Sequence, residues 1–370
     1  MSETADVLIV GGGVIGCSIA YQLSKRGARV TVVERRRLAE EASWASAGII
    51  SPPSSPSTLP GRAELERRSF EMYPALIAEV QEATGLSVER GPAGELSVAL
   101  DDGGVAGLRR AQEWQAAQGF AVEWLDADEA RRREPSLTPK VRGASWSPRA
   151  FSVRPHRLTL ALARAARLRG ATIREETPVL GLLTDGGRVT GARTPAGNLP
   201  AGQVVIAAGA WTAQVGAQAG VTLPTRPVRG QMLALADAEP PLRHIIHGPG
   251  GYLVPRADGA IAVGATVEEA GFDARVTPDG LTWLADLARS LAPALAGARV
   301  VAVWAGLRPA PGDDRPLLGR APGYDNLWVA SGHFRTGILW AAVTGDLLAA
   351  SVLAGRPDPA LAPFDPARFA

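Results

Sequence analysis

Three short, unbroken apolar runs stand out along the chain: Val7 to Val10, Val204 to Ala207 and Leu327 to Ala330. Such runs predict strands buried on both faces of a parallel sheet. Val30 to Val33 and Ala171 to Arg174 read as further strands. Between them, apolar positions recur at helical spacing. They predict helices over Cys17 to Arg26 (ended by Gly27), over 61–85 on Leu65, Phe70, Met72, Leu76, Ile77 and Val80, and over Ala161 to Arg169. Thr282 to Leu291, stopping before Pro293, and the stretch from Ile338 onward read the same way. Glu95 to Ala99 and Met232 to Leu235 read as strands, and Gly251 to Arg256 with Ala260 to Gly264 as a hairpin on an Asp258-Gly259 turn.

Strands alternating with helices predict an α/β fold with a Rossmann-like nucleotide-binding domain. The hairpin-rich stretches 86–145 and 226–300 predict an antiparallel sheet, an α+β substrate domain inserted twice into that frame. The nucleotide-binding domain is then discontinuous, over 1–85, 146–225 and 301–370. No internal repeat is visible.

The first strand runs straight into Gly11-Gly12-Gly13-Val14-Ile15-Gly16, then a helix, a second strand and Glu34. Strand, G-x-G-x-x-G turn, helix, strand and acid together make a dinucleotide-binding unit. Gly11 allows the tight turn, Gly13 lets backbone approach a pyrophosphate, and Gly16 lets helix and strand pack. The helix N-terminus offers free N–H groups to phosphate, and Glu34 can accept both hydroxyl protons of an adenosine ribose, which disfavours a 2′-phosphate there. Arg35, Arg36 and Arg37 read as a solvated charge run, and Cys17 as a small packing residue.

This unit alone does not separate NAD from FAD. Ala42 to Ile50 is a run of small residues, which suits backbone laid flat against a bulky planar ligand, or an ordinary loop. Ser51 to Pro60 is rich in proline and serine, either a lid or a surface excursion. After the strand at 327–330, Ser331 to Gly337 forms a glycine-bounded turn before the last helix. A chain that opens and closes with ligand-facing helix N-termini suits a long cofactor such as FAD, whose reduced ring gathers negative charge that a helix dipole stabilises.

Composition narrows the chemistry. At 370 residues, 46% hydrophobic and 21% charged, the chain suits two or three globular domains and not a disordered, collagenous or coiled-coil protein. A net charge of +2 provides no strong field for nucleic acid or an anionic membrane. Lys25 and Lys140 are the only lysines, which argues against Schiff-base chemistry. Cys17 is the only cysteine and the four histidines are scattered, so no disulfide or metal site is expected. The N-terminus is acidic, unlike a signal peptide. Ile338 to Leu353 is interrupted by Thr344, Gly345, Asp346 and Ser351 and is expected to fall short of a membrane span. A cytoplasmic protein is the reading.

Three segments together carry a resemblance: Gly11 to Gly16 with Glu34, Tyr252-Leu-Val-Pro-Arg256, and Trp304-Ala-Gly-Leu-Arg-Pro309 with Gly332-His-Phe-Arg-Thr-Gly-Ile-Leu339. They resemble the glycine oxidases, a family in the FAD-dependent D-amino-acid oxidase superfamily, and the likeness spans nearly the whole chain. It implies that Val14 and Ile15 lie along the FAD pyrophosphate, with Glu34 and Arg35 at its adenosine. Ala42, Ser43, Ala47, Gly48 and Ile49 would line the ribityl chain and flavin, and Val179 the adenine side. His333, Phe334, Arg335, Thr336, Gly337, Ile338 and Leu339 would wrap the ring, and Tyr252, Arg308 and Arg335 would hold the substrate.

The chemistry of that trio stands without the family. An amino-acid carboxylate matches the guanidinium fork of Arg308, Tyr252 adds a phenolic donor, and Arg335 reaches substrate or ring; the alternative for each is a structural role, an arginine capping a turn or a tyrosine plugging the core. The implied reaction is hydride transfer from Cα to flavin, with oxygen taking the electrons and releasing hydrogen peroxide. The chain departs from the family at Gly250, where a histidine is usual two residues before the tyrosine, and at Ile49, in place of methionine. Both put substrate size in question. With Cys17 the sole cysteine and far from the C-terminus, FAD is expected to be non-covalent. The resemblance further implies a homotetramer and supply of glycine imine for thiamine thiazole synthesis. A D-amino-acid dehydrogenase passing electrons to a quinone, or a flavin-binding protein without catalysis, are the alternatives.

Overall fold

The first apolar run lengthens into the strand Ala5–Val10, paired in parallel with Gly197–Ile206 on one side and Val30–Val33 on the other. The computed structural model describes residues 4–53 and 61–370. Most of the Pro/Ser stretch read as lid or excursion therefore lies outside the described residues, as does the start of the acidic N-terminus.

The sheet runs Leu317–Arg320, Leu327–Ser331, Gly197–Ile206, Ala5–Val10, Val30–Val33, Thr172–Arg174. Along this path only the first pair is antiparallel; Gly181–Asp185 and Arg188–Thr194 add antiparallel strands beside Gly197–Ile206. The three unbroken apolar runs are its central strands, buried on both faces as a parallel sheet between helices requires. Val14–Lys25, Pro155–Leu168, Arg62–Thr84 and Gly337–Ala354 cover one face. This is the α/β, Rossmann-like arrangement expected from the sequence.

Helix starts were read too late. The first helix opens at Val14, inside the glycine motif, because Gly16 packs there instead of breaking it: a Cβ at Gly16 would lie 2.0 Å from the Gly11 carbonyl oxygen. The helix read from Ala161 begins at Pro155, and the one read from Thr282 at Pro278, where Thr277 accepts from the Gly280 N–H at 3.2 Å. Proline is a breaker inside a helix but is favoured at its first position.

The last helix also revises an expectation. Gly337–Ala354 is, by length and composition, apolar enough to cross a membrane, with mean hydropathy 1.7. Yet 72% of it is buried inside the protein, against the first helix, so its apolar surface is a core contact.

The second sheet runs Arg299–Pro311, Thr225–Ala236, Ile261–Gly264, Gly251–Pro255, Ile245–Gly248, Glu95–Ala99, Gly143–Ser147, Glu123–Asp126. It is antiparallel apart from the parallel pair of Ile245–Gly248 with Glu95–Ala99. The strand read at 232–235 extends over twelve residues and pairs along its length with Arg299–Pro311. That partner carries the second sheet past residue 300 to Pro311, into the stretch 301–370 expected to belong to the nucleotide-binding domain. One face of this sheet packs under Pro278–Leu291 through Leu233, Val263, Leu284 and Leu291; the other face, bearing Met232, Tyr252 and Trp304, turns toward Ala47 and Ile49 of the first lobe.

The helices Val14–Lys25 and Gly337–Ala354 meet where Ser18 donates to the Ala341 carbonyl at 2.7 Å, and a Cβ at Gly345 would lie 2.2 Å from Ser18 Oγ. Alanine gains ~1 kcal/mol over glycine in a helix, while overpacking costs ~1–3 kcal/mol. Gly345→Ala is therefore expected to lower stability in urea unfolding despite its better propensity. Adding Ser18→Ala should recover part of the loss, a non-additivity that independent sites would not show.

Candidate active site

The turn after Ala5–Val10 is set by Gly11, at φ 118°, where a Cβ would lie 2.3 Å from the Ala207 carbonyl oxygen. No other residue fits. The turn opens into a cleft at the carboxyl ends of the parallel strands, where ligands bind in open α/β sheets. One wall comes from Gly13, Val14 and Ile15, from Ala42 to Ile49, and from Ala330, Ser331 and the turn beyond. The other comes from the second sheet: Gly230, Met232, Tyr252, Gly306, Arg308 and Pro309.

The run Ala42 to Ile50 is more ordered than a loop. Ala42–Ala45 is one helical turn and Ile49–Ile50 pairs with Phe151–Ser152. Ser43 Oγ accepts from the Val14 N–H at 2.9 Å, fastening this run to the first helix. Ser46 lines the cleft with a buried hydroxyl that has no protein partner. The N-cap residues of the helices at 14 and 337, Gly13 and Thr336, supply no side-chain cap. An orphan hydroxyl, a glycine turn too close for a Cβ and two helix starts whose own N-cap residues give no side-chain cap fit a long cofactor with phosphates and a polar ring edge.

At the far end, Arg308 Nη1 donates to the Thr266 carbonyl at 2.9 Å and the Arg229 carbonyl at 3.3 Å. Its guanidinium lies over Gly230, where a Cβ would come within 2.3 Å of it. Burial pulls its pKa below the usual arginine value, opposed by Tyr252. The nearby Glu268 is occupied by Arg229 at 2.5 Å and Gln231 at 2.8 Å. Among the described residues, no carboxylate forms an ion pair with Arg308.

Tyr252 points its hydroxyl at Met232 Sδ, 3.7 Å away, with the His247 ring edge-on at 5.8 Å. Burial raises its pKa, so the phenol stays a neutral donor. Arg335 is exposed at the rim. The turn that carries it is anchored by the Phe334 N–H, which donates to the Pro309 carbonyl at 3.0 Å with Phe334 at φ 48°. His333 is buried, with Nε2 3.1 Å from Thr344 Oγ1, and burial lowers its pKa to about 3.

The cleft thus gathers Gly13, Val14, Ile15, Ala42, Ser43, Ala47, Gly48 and Ile49 with Tyr252 and Arg308. From the last turn it takes His333, Phe334, Arg335, Gly337, Ile338 and Leu339. Six candidates do not line it. Gly11 and Gly16 lie beneath the turn. Glu34 accepts from the Gly12 N–H at 2.7 Å and the Arg36 N–H at 3.0 Å. Arg35 stacks 3.5 Å over Trp211 and pairs with Glu41 at 2.5 Å, so it is not simply solvated. Val179 packs on the core between the strands at 5–10 and 197–206, and Thr336 Oγ1 donates to the His333 carbonyl at 3.1 Å. Sequence reasoning missed Ser46, Gly230 and Met232. Ser46 stood inside a segment already singled out, whereas Gly230 and Met232 reach the cleft only through their register with Gly306 and Trp304.

The sequence model of the family described as FAD dependent oxidoreductase matches residues 6–351. A glycine oxidase of Pseudomonas putida is 35% identical over 362 residues, 98% of each chain. A bifunctional ThiO/ThiG protein of Synechocystis is 34% identical over the whole of this chain and 55% of its own length. The crystal structure of glycine oxidase from Geobacillus kaustophilus superposes with a TM-score of 0.92 at 35% identity, covering 98% of both chains.

The buried His333 makes stability depend on pH. Its pKa falls from 6.5 to about 3 on folding, so between those values the unfolded chain binds a proton that the folded one does not. Stability is then lost as pH falls through this window, by ~1.4 kcal/mol per unit for one proton. Urea unfolding of wild type and His333→Gln from about pH 7 to about pH 5 is expected to show wild type losing roughly 2 kcal/mol more.

Proposed function

The chain belongs to the family of FAD-dependent oxidoreductases, and from that premise we propose that it binds FAD non-covalently in the cleft and oxidises glycine and other small amines or D-amino acids. Products are the imine or 2-oxo acid, ammonia and hydrogen peroxide. The observation that carries this reading is Arg308, a half-buried cation that donates to the Thr266 and Arg229 carbonyls, interacts with the neutral Tyr252 phenol and faces the cleft without a carboxylate partner among the described residues. Such a guanidinium calls for an anion with two coplanar oxygens, and an amino-acid carboxylate supplies it.

When bound, FAD takes the two electrons of the substrate Cα–H bond and passes them to oxygen. The residues do the positioning. Arg308 clamps the carboxylate, the Tyr252 hydroxyl turns from Met232 to the same group, and Arg335 closes the rim. Ile49, Met232 and Leu339 keep the reacting end apolar. Among the described lining residues none is a carboxylate, and His333 is neutral and tied to Thr344. The substrate amine therefore sheds its proton to solvent, with no side chain as general base. Around the cofactor, Glu34 would turn from the Gly12 N–H to the adenosine ribose, Arg35 and Val179 would flank its adenine side, and the unpartnered Ser46 hydroxyl would hydrogen-bond the ring edge.

Of the two departures from the family pattern, Ile49 lines the cleft, whereas Gly250, expected near the pocket, does not and sits in the hairpin turn facing the helix Pro278–Leu291. Gly250, at φ 89°, presents no side chain, and a Cβ there would meet Trp283 at 3.5 Å. The proposal extends to the two-domain division, a cytoplasmic location, a homotetramer and delivery of glycine imine to a thiazole-building step. The last is supported by the relative named ThiO/ThiG, of which a segment like this chain makes up about half. The exposed apolar edge at Val300, Val301 and Val303 supports self-association.

The purified yellow protein should release peroxide in air with glycine and sarcosine at least as well as with D-alanine and D-proline. Strong preference for the larger pair would mean that Ile49, in place of methionine, has reshaped the pocket; no peroxide from any would favour a dehydrogenase. Arg308→Ala should raise the glycine KM on the order of 100-fold, the cost of a charged bidentate contact, with FAD content unchanged. An unaltered KM would remove Arg308 from the substrate site.

A further inference from the structure

We propose that Arg256 is a positioning residue: it staples the strand that carries Tyr252 to the backbone of Ala47 to Ile49, and so fixes the cofactor-facing wall of the cleft relative to the substrate anchor. This rests on the reading that the cleft holds FAD. Arg256 directly follows the strand Gly251–Pro255, four residues after Tyr252, and continues the hairpin through its N–H to the Ala260 carbonyl at 2.8 Å. Its side chain leaves that lobe. Nη2 donates to the Ala47 carbonyl at 2.7 Å and Nη1 to the Val153 carbonyl at 3.1 Å.

Those two carbonyls belong to one tight assembly. The Val153 N–H donates to the Gly48 carbonyl at 3.0 Å, and Gly48 sits at φ 72° with its would-be Cβ 2.1 Å from the Val153 carbonyl oxygen. Immediately beyond, Ile49–Ile50 pairs with Phe151–Ser152. Ala47, Gly48 and Ile49 all line the cleft, so one guanidinium closes the hydrogen-bonding of the strand pair that forms this wall.

The charge of Arg256 is not spent on a carboxylate. The acids nearby, Glu89 and Asp258, both engage Arg154, at 2.9 Å for Glu89. Arg256 holds two neutral carbonyls instead, with its pKa drawn down by burial to about 10 and its cation intact at neutral pH. A cationic fork bonds such carbonyls more strongly than a neutral donor would, and its planarity fixes their separation. Lysine could reach only one of them.

The test is Arg256→Met and Arg256→Lys in the full-length protein, read by FAD titration of the apoprotein, the visible flavin spectrum and the glycine kinetics. Arg256→Met should weaken FAD binding about tenfold or more and perturb the spectrum. It should cut kcat by a similar factor while KM moves less than about threefold, because Arg308 and Tyr252 keep the carboxylate. Arg256→Lys should recover only part of this, and a surface control, Arg289→Gln, should match wild type. If Arg256→Met melts as an unfolded apoprotein, the Lys variant carries the test alone. FAD affinity, spectrum and kcat all within about twofold of wild type in Arg256→Met, or full recovery by lysine, would overturn the proposal. Wild type that takes up no FAD would instead overturn the reading beneath it.

Discussion

The second sheet meets the first lobe where the backbone of Gly306 lies against Ala45 in the helical turn Ala42–Ala45. A Cβ at Gly306 would come within 2.4 Å of the Ala45 Cβ, and two residues away Trp304 Nε1 donates to the Ala45 carbonyl at 3.0 Å. The contact leaves no slack. It sets how far the strand Arg299–Pro311 stands from the glycine turn, and hence the width of the cleft between them. From it Arg308 follows two residues along, on the same side of the strand, and Pro309 follows next, receiving the Phe334 N–H that anchors the last turn. One strand thus aligns a substrate-side cation, a cofactor-side helix start and the floor joining them.

Electrostatics then specialise the space. The described lining contains guanidinium groups but no carboxylate. Carboxylates are near, but they are already engaged: Glu268 by Arg229, Gln231 and Thr266, Glu34 by two backbone amides. An arginine left in this state within a low-dielectric wall attracts an anion far more strongly than one at the surface. The neighbouring phenol, kept protonated by burial, adds a donor without adding charge that would compete.

What the sequence made legible follows from the range of each interaction. The parallel strands were readable because burial on both faces forces unbroken apolar runs, and the glycine turn because sterics at Gly11 and Gly16 admit no substitute. Tyr252, Arg308 and Arg335 were readable by motif and by the chemistry of a carboxylate. Helix starts at Pro155 and Pro278 were misread because proline carries opposite meanings at the first turn and the interior. Gly230 and Met232 carry no local signal at all. Their place in the cleft comes from pairing with residues more than seventy positions away, a register fixed only when the sheet forms. Ser46 lay in a segment already recognised, but an orphan hydroxyl is visible only once its surroundings are packed.

The departures from the family pattern fall outside this framework. Gly250 bends the hairpin between the strands at 245 and 251, and Ile49 presents a side chain from a short strand whose backbone is held by Phe151 and Ser152. Neither takes part in the Gly306–Ala45 contact, the Arg308 carbonyl bonds or the Phe334–Pro309 tie. A change at Ile49 alters the size and polarity of the cleft without moving the guanidinium or the glycine turn, while Gly250 faces Trp283. The size of the cleft can therefore change while the geometry between the Arg308 guanidinium and the glycine turn stays constant, because the two properties are carried by different residues.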